Sequence, residues 1–579
     1  MASPMGKILK SCSNVLVGIA VFSFVINLLQ LAVPLYSWQL FDRVLTSGSH
    51  ETLLVLTVIA FGALMVVGGL EFIRSRALQH VAFWVDRVLG PRIIACEVEK
   101  ASTGAGTTAH ELRNLNTLRG FLTGAAVFNL FDVPWLPIFL AVIWLLHPLL
   151  GFVAVCGAIC LIAVVVVSEL ATRNVINDAN KHRADALEQS EANLRNAEVV
   201  QAMGMLPDLL WRWQDANERC LTSQGQANKR GATLLMVSRT LRMCLQVGIL
   251  GTAAYLTTIN EVSIGAVIAA STMLSRALSP VDRMTGTWQR VVTARAAYKA
   301  LSRRLKQWNG EEEKTTLPPP QGALELNHVS MALPNAIRPV IDDVHFSMVA
   351  GERLGIVGPS GSGKSTLAKI MVGLQPVTAG EVRLDGADIS EIPRQALGPH
   401  IGYLPQNVGL FRGTVRDNIA RMSHADDDEV IAAAQFAGVH DVVLRLPNGY
   451  DTEISNNSSL LSGGQRQLIG LARAVFRMPR LLILDEPNAN LDRDGETILL
   501  AMLDKLGQQG ITTIVVTHRI NVLQHVDWIL KLRGGRVDLL GSRDEILRPR
   551  EDANAAQAGM KPTDNAISTA GRAVQTGAD

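Results

Sequence analysis

The stretch VLVGIAVFSFVINLLQLAVPLYSW, residues 15–38, contains no charged side chain. About 20 such residues suffice for a helix to cross the hydrocarbon core of a bilayer. In lipid the backbone must satisfy its own hydrogen bonds, so a run of this kind dictates a helix. Lys7 and Lys10 precede it, as in a secretory signal. The run is longer than a usual signal core, however, and no small-x-small cleavage pattern closes it. It is read as a retained span. Runs at 52–73, 121–146 and 148–169 follow. Two weaker ones lie at 235–258, with Arg239 and Arg242 near its start, and at 262–282, which ends in charge.

Six spans place both chain ends on one side. The long connections, 74–120 and 170–231, carry 7 and 8 Lys+Arg, whereas the short ones, 39–51, 147 and 259–261, carry only Arg43. Positive charge marks the cytoplasmic side, so both termini are expected there. The long connections read as amphipathic helices, for example NDANKHRADALEQSEANLRNAEVVQAMGM, 177–205. They are expected to form a solvated stalk able to carry motion from a cytoplasmic motor. Asn27, Gln30 and Asp132 lie within the runs and either line a pathway or pair across the bundle. Cys12, Cys96, Cys156, Cys160, Cys220 and Cys244 form no CxxC pair and are read as small buried residues.

The mean hydropathy of +0.22 conceals a split, because the second half has ordinary globular composition. The net charge of +2 gives no reason to expect a nucleic-acid partner. RRLKQWNGEEEKTTLPPPQG, 303–322, is charged and then proline-rich, as an exposed linker is. Alternating strands follow, and RLGIVG reads as a buried strand ending in glycine. GPSGSGKST, Gly358, Pro359, Ser360, Gly361, Ser362, Gly363, Lys364, Ser365 and Thr366, comes next and opens a helical pattern. Strand, glycine loop and helix form the context of a phosphate-binding loop. Its amides and the helix start face phosphates, Lys364 adds a point charge, and Ser365 offers a hydroxyl to Mg²⁺. RLLILDEPNANLD, 480–492, supplies a second buried strand ending in Asp485 and Glu486. Asp485 suits Mg²⁺ and Glu486 suits an attacking water, the division of labour that phosphoryl transfer needs.

LSGGQ, Leu461, Ser462, Gly463, Gly464 and Gln465, opens another apparent helix. A second anion-binding helix start has no use for a nucleotide already held in the first loop. It makes sense in a dimer that holds ATP between one subunit's phosphate loop and the other's LSGGQ. With these motifs in this order the chain resembles an ABC transporter half of the exporter type, over about residues 12–550. The resemblance implies an all-α six-span exporter domain, residues 1–302, fused through the linker 303–322 to an α/β P-loop ABC ATPase domain, 323–550; the tail 551–579 is expected to be disordered. It also implies that Gln406 senses Mg²⁺ and the membrane domain. His518 contacts the γ-phosphate, and Asp492 belongs to the loop at the dimer contact. Cofactors are then ATP and Mg²⁺, with Glu486 and His518 catalytic and Ser365, Gln406 and Asp485 around the metal.

NLLQLAVPLYSWQLFDRVLTSGS, LRNLNTLRGFLTG, LFDVPWLPIFLAVIWLLHPLLG, AASTMLSRALSPVD and LDEPNANLD are similar to type I secretion permease/ATPases, most of all the alkaline-protease-exporter group. That group implies a homodimer in the bacterial inner membrane, in contact with membrane lipids, that exports unfolded proteins. Its partners are a periplasmic adaptor, an outer-membrane channel and a cargo with a C-terminal signal. The short segment before the first span leads to the expectation that no N-terminal peptidase domain precedes it. Two departures from the family pattern stand out: Leu333 in VSMALPNA, where an aromatic residue often stacks on adenine, and ISNNSSL before the LSGGQ motif. Export of a lipid, drug or short peptide is the alternative on the same machine. A switch that binds ATP without turnover is disfavoured by the intact Lys364, Asp485, Glu486 and His518.

Overall fold

The computed structural model describes residue 6 and residues 10–102, 110–308, 317–333, 338–455 and 461–547. The expected disordered tail, residues 309–316 of the linker, and Asn456–Leu460 before LSGGQ lie outside the described residues. The chain divides into two units, Met1–Gly310 and Glu311–Asp579.

Six helical stretches of the first unit are long and apolar enough to cross a membrane. The main helices are α1 (Ser13–Leu29), α2 (Ala32–Gln39), α3 (His50–Ser102), α4 (His110–Leu122), α5 (Ala125–Asp132), α6 (Leu136–Leu146), α7 (Pro148–Arg195), α8 (Leu206–Thr258) and α9 (Ile264–Gln307). At 1.5 Å per residue, α3 and α8 are each about 80 Å long, against a hydrocarbon core of about 30 Å. The connections are therefore largely continuations of the spans, although α4 is a separate helix and a short helix, Ala197–Ala202, follows the end of α7 at Arg195. Helix α9 runs five residues into the stretch expected as linker from 303. Val55, Val58, Ile59, Phe61 and Met65 of α3 point outward, as lipid-facing side chains do. Cys156, Cys160 and Cys244 are likewise exposed, which corrects the expectation that all six cysteines are buried. A small apolar residue in a span loses nothing by facing lipid. The interior packs small residues of α7, α8 and α9, including Ala154, Ala158, Ala253, Ala269 and Ala270, so that backbones approach closely.

Breaks in the helices have local causes. Pro34 lacks the N–H that would bond to Gln30, and the first span turns at Gln30–Leu31. The span then continues through a π-helical turn, Leu40–Val44, to Ser47, where the sequence suggested a loop from residue 39. Asp42 in that turn accepts from Trp38 Nε1 at 2.7 Å, from Gly265 N at 2.8 Å, and from Ser263 Oγ. The end of span one thus caps the start of span six. The third span starts at Ala125, after an extended Gly124, and not at 121. Val133–Trp135, with Pro134, interrupts it as a 3₁₀ turn.

Asp132, at that interruption, is paired across the bundle. Arg74 Nη1 of α3 donates to Asp132 Oδ1 at 2.6 Å and to Ser23 Oγ at 2.8 Å, and Asn27 Nδ2 reaches the same carboxylate oxygen at 3.4 Å. Arg242 of α8 approaches Asp282 of α9 at 3.6 Å, and Ser238 Oγ donates to Asp282 at 2.9 Å. Both groups border one cavity of about 1000 Å³ inside the bundle.

Among the described residues the second unit holds two main sheets and a two-stranded ribbon that pairs Gly413–Thr414 with Glu453–Ile454. Strands β1 (Leu324–Met331), β2 (Ile341–Met348), β4 (Ala379–Leu384) and β5 (Ala387–Asp388) form an antiparallel sheet in the order β2-β1-β4-β5. The other sheet contains β3 (Arg353–Val357), β6 (Ile401–Leu404), β7 (Leu481–Asp485), β8 (Thr512–Val516), β9 (Trp528–Arg533) and β10 (Arg536–Ser542), in the order β10-β9-β3-β8-β7-β6. It is parallel except for β10. Every residue of β7 and β8 is buried, as expected of strands covered on both faces. Helices α10 (Lys364–Met371), α11 (Gly463–Val475) and α12 (Arg493–Gln508) pack on this frame.

Arg74 is 5% exposed, and removing it leaves Asp132 without its cation. Breaking a buried pair from one side costs about 3 kcal/mol or more, whereas replacing both partners by apolar residues is often neutral. Arg74→Leu is expected to lower the thermal unfolding midpoint of the detergent-purified protein. Arg74→Leu/Asp132→Leu is expected to recover most of that loss in a double-mutant cycle. Additive losses would mean that the pair is not coupled.

Candidate active site

Three parallel strands end at one level. Val516 of β8 is in register with Ile356 of β3 and with Asp485 of β7. The loops leaving β3, β7 and β8 carry Gly358–Thr366, Glu486 and His518 respectively. β6, at the sheet edge, leads into Gln406.

In the glycine loop Gly361 (φ +77°) and Gly363 (φ +100°) take left-handed conformations that other residues resist. A Cβ on Gly363 would also lie 2.9 Å from Val340 O and 2.8 Å from Ile341 Cδ1. Pro359, Ser360 and Gly361 form the exposed tip, and Lys364, Ser365 and Thr366 begin α10. Lys364 Nζ donates to Gly358 O and Pro359 O, each at 2.9 Å, so the ammonium lies across the mouth of its own loop. Ser362 Oγ is buried with no partner.

Asp485 is 2% exposed; it is hydrogen-bonded with Ser365, and its Oδ1 has no hydrogen-bond partner. Burial pushes its carboxyl above the ordinary range; the Ser365 hydrogen bond opposes this, Glu486 adds to it, and Lys369 and Lys364 oppose it. A buried, incompletely satisfied carboxylate beside a serine hydroxyl suits a hard cation. Burial and the nearby Asp485 charge also push the Tyr403 phenol up to about 12. Glu486 has φ +49°, and its N–H donates to Val516 O at 2.9 Å. Such a backbone is costly for a side-chain-bearing residue, and it turns the carboxylate away from the strand line. Gln406 Nε2 donates to Glu486 Oε2 at 3.1 Å, and His518 Nδ1 lies 3.9 Å from Glu486 Oε1. The structure therefore brings together Ser365, Asp485, Glu486, Gln406 and His518.

The LSGGQ segment has a different setting. Leu461 is buried, and Ser462 N-caps α11. Ser462 Oγ accepts from Gln465 N at 3.1 Å, and Gln465 Oε1 accepts from Ser462 N at 2.9 Å, a reciprocal capping box. The surroundings of Gly463 and Gly464 come from Asn490, in the loop after Glu486, and no hydrogen bond between described residues joins this segment to Gly358–Thr366. Asp492 caps α12 by accepting from Gly495 N at 2.8 Å and is otherwise exposed. Leu333 is half exposed beyond β1, and residues 334–337 lie outside the described residues.

Sequence reading missed Gln467. It is fully buried in α11, and its Nε2 donates to Pro487 O at 3.0 Å. This ties the LSGGQ helix to the loop that carries Glu486. A glutamine on the otherwise apolar face of QRQLIGLARAVF was the available signal. Thr517 Oγ1, which donates to Asn488 Oδ1 at 3.2 Å, binds the same loop to the strand before His518.

The model of the ABC transporter family matches residues 341–489, and that of the ABC transporter transmembrane region matches residues 16–281. The type I secretion system ATP-binding protein PrsD of Rhizobium meliloti (strain 1021) is 37% identical over 544 residues, which cover 93% of each chain. The cyclolysin secretion/processing ATP-binding protein CyaB of Bordetella pertussis (strain Tohama I) is 30% identical over 91% of this chain and 75% of its own. A solved bacterial Atm1-family ABC exporter with ATP bound has a TM-score of 0.81 over 96% of this chain and 99% of that one, at 22% identity, and shares the fold. Six membrane helices, a phosphate loop, LSGGQ and these relatives lead to one conclusion: the chain is a multi-pass membrane protein of the ABC transporter family and belongs with the ATP-binding proteins of type I secretion systems.

Proposed function

We propose that this protein is the ATP-driven inner-membrane component of a type I secretion system and exports an unfolded protein. The observation that carries the choice of cargo is the cavity in the membrane unit. Its lining includes Arg74, Asp132, Arg239, Arg242, Arg276 and Asp282. An apolar lipid or drug would strip water from those charges without replacing its hydrogen bonds. A polypeptide brings a donor and an acceptor at nearly every residue. Relatives named for secretion of cyclolysin and export of leukotoxin support a protein cargo. Both termini and the ATPase unit are then cytoplasmic. A periplasmic adaptor and an outer-membrane channel complete the route, and the cargo carries a C-terminal signal.

ATP is held in a homodimer. Gly358–Thr366 of one copy cradle its phosphates, and Leu461–Gln465 of the other copy close over them. The Lys364 ammonium exchanges the Gly358 and Pro359 carbonyls for phosphate oxygens. Ser365, Asp485 and Gln406 would hold Mg²⁺, which neutralises phosphate charge when bound. Glu486 orients the attacking water and accepts its proton, and His518 donates to the γ-phosphate. Gln406 already touches Glu486, so movement of its loop is felt at the carboxylate. Gln467 acts by positioning the loop of Glu486 against the LSGGQ helix.

Glu486→Gln keeps a hydrogen-bonding side chain but removes the base. ATP turnover is expected to fall about 100-fold or more, the usual contribution of a positioned general base, while ATP-dependent dimers persist. In cells, one or a few full-length proteins should disappear from the medium of the variant strain. An unchanged set of secreted proteins, with hydrolysis by the native chain intact, would overturn protein export in favour of a smaller cargo. Gln467→Leu leaves the Pro487 carbonyl without its donor, at a cost of about 1–3 kcal/mol. It is expected to reduce turnover more than ATP affinity. Equal losses in both would refute the positioning role.

A further inference from the structure

Between the ends of β1 and β2 the ladder slips by one residue and then slips back. Leu326 faces Phe346, Val329 faces Val344, and Met331 faces Ile341. Each strand therefore carries one extra residue, β1 between Leu326 and Val329 and β2 between Ile341 and Val344. The two bulges keep Val329 and Val344 buried and leave the extra residues on the outer face. His328 sits in the first bulge with φ +47°, and Asp343 in the second with φ +54°. Left-handed backbone at two facing non-glycine positions is unusual, and here it aims both side chains at one point. His328 Nδ1 lies 2.7 Å from Asp343 Oδ1. His345 completes the group, with its ring centroid 5.2 Å from that of His328. One potential ligand atom from each of His328, Asp343 and His345 lies within 4.8 Å of the others.

We propose that His328, Asp343 and His345 form a surface site for a borderline divalent transition-metal ion of the zinc class. Two imidazole nitrogens and a carboxylate are a donor set that such ions favour, and Mg²⁺, which prefers oxygen and water, does not. Around zinc at about 2.0–2.1 Å, neighbouring ligand atoms stand about 3.3 Å apart, so the His328–Asp343 contact opens from 2.7 Å and His345 closes from within 4.8 Å, movements that rotation of exposed side chains can supply. The histidine side chain at 328 is 75% exposed and the carboxylate 59%, which leaves the remaining coordination positions to water. The nearby cation Arg536 is engaged by Asp342 at 2.6 Å, so its charge is largely neutralised. The site is separate from the nucleotide machinery, although β2 begins at the residues that pack against Gly363.

The test uses the full-length detergent-purified chain without a histidine tag or nucleotide. Titration with Zn²⁺ against a competing chelator is expected to give one ion per chain at this site. His328→Ala and His345→Ala should each weaken it about tenfold or more, since even the loss of an outer-shell partner costs that much. Both variants should keep Mg²⁺-dependent ATP hydrolysis, which reports that they are folded. Equal binding by the native chain and by His328→Ala/His345→Ala would overturn the proposal, as would no binding by the native chain. Should the variants not fold, electron paramagnetic resonance of one equivalent of Cu²⁺ on the native chain decides. Coupling to two imidazole nitrogens supports the site, and its absence refutes it.

Discussion

The alignment of Val516 with Ile356 on one side and Asp485 on the other is the constraint on which the ATPase unit depends. It puts the carboxyl ends of β3, β7 and β8 at the same height. The glycine loop, Glu486 and His518 leave from there and converge on a small volume. A slip of one residue in β7 would exchange its two faces and carry Asp485 away from Ser365. Burial holds this register, because every residue of both β7 and β8 lies inside and each aliphatic side chain contributes about 1.5–3 kcal/mol. Asp485 is the exception within that run, a carboxylate carried into the core by the strand that needs its neighbours. Its elevated carboxyl and free Oδ1 are the local cost of placing a charge where phosphates and cations must meet it.

In the membrane unit the governing constraint is different. Lipid offers no hydrogen bonds, so the backbone stays helical, and α3 and α9 continue through Pro91 and Pro280. Four spans extend far beyond the bilayer thickness as single helices. A continuous helix transmits displacement of one end to the other with little loss, which a hinged connection would not. Polar side chains inside the bundle are then used at few places and in connected groups. Ser23, Asn27, Arg74 and Asp132 join spans one, two and three, and Ser238, Arg242 and Asp282 join spans five and six. The cavity lies where these groups meet. The same residues therefore fasten neighbouring helices and give the interior its polarity.

Much of this was legible in the sequence because it rests on local pattern. Uncharged runs give the spans, and glycine spacing after a buried strand gives the phosphate loop. LSGGQ reads as the opening of a helix, and α11 does begin at Gly463, where Ser462 and Gln465 add a capping box beyond that reading. What was not legible depends on residues far apart in the chain. Nothing near Asp132 names Arg74, 58 positions away, as its partner. Nothing near Asp42 shows that it caps a helix beginning more than 200 positions later. The third span was placed four residues early because hydropathy averages over Gly124, where the backbone turns. Gln467 was passed over because a single glutamine in a helix normally points to water, and only the fold shows Pro487 O waiting for it. The paired bulges of β1 and β2 were invisible for the same reason, since alternation alone would put His328 on the buried face.

The two phosphate-directed helix starts of the ATPase unit are built on different supports, and this bears on how the machine works. Gly363 rests against Val340 and Ile341 at the start of β2, whereas Gly463 and Gly464 rest against Asn490 beyond β7. Each helix start presents free amide donors, and neither fills the other's. A single copy therefore leaves one set of donors facing solvent. In the homodimer proposed above, a twofold axis would place each free set against the other copy's nucleotide. Gln467 joins the LSGGQ helix to the loop of Glu486 through Pro487 O, so in the proposed homodimer closure over the partner's phosphates would act on the chain's own carboxylate. In that arrangement ATP at one site would favour the geometry required at the other.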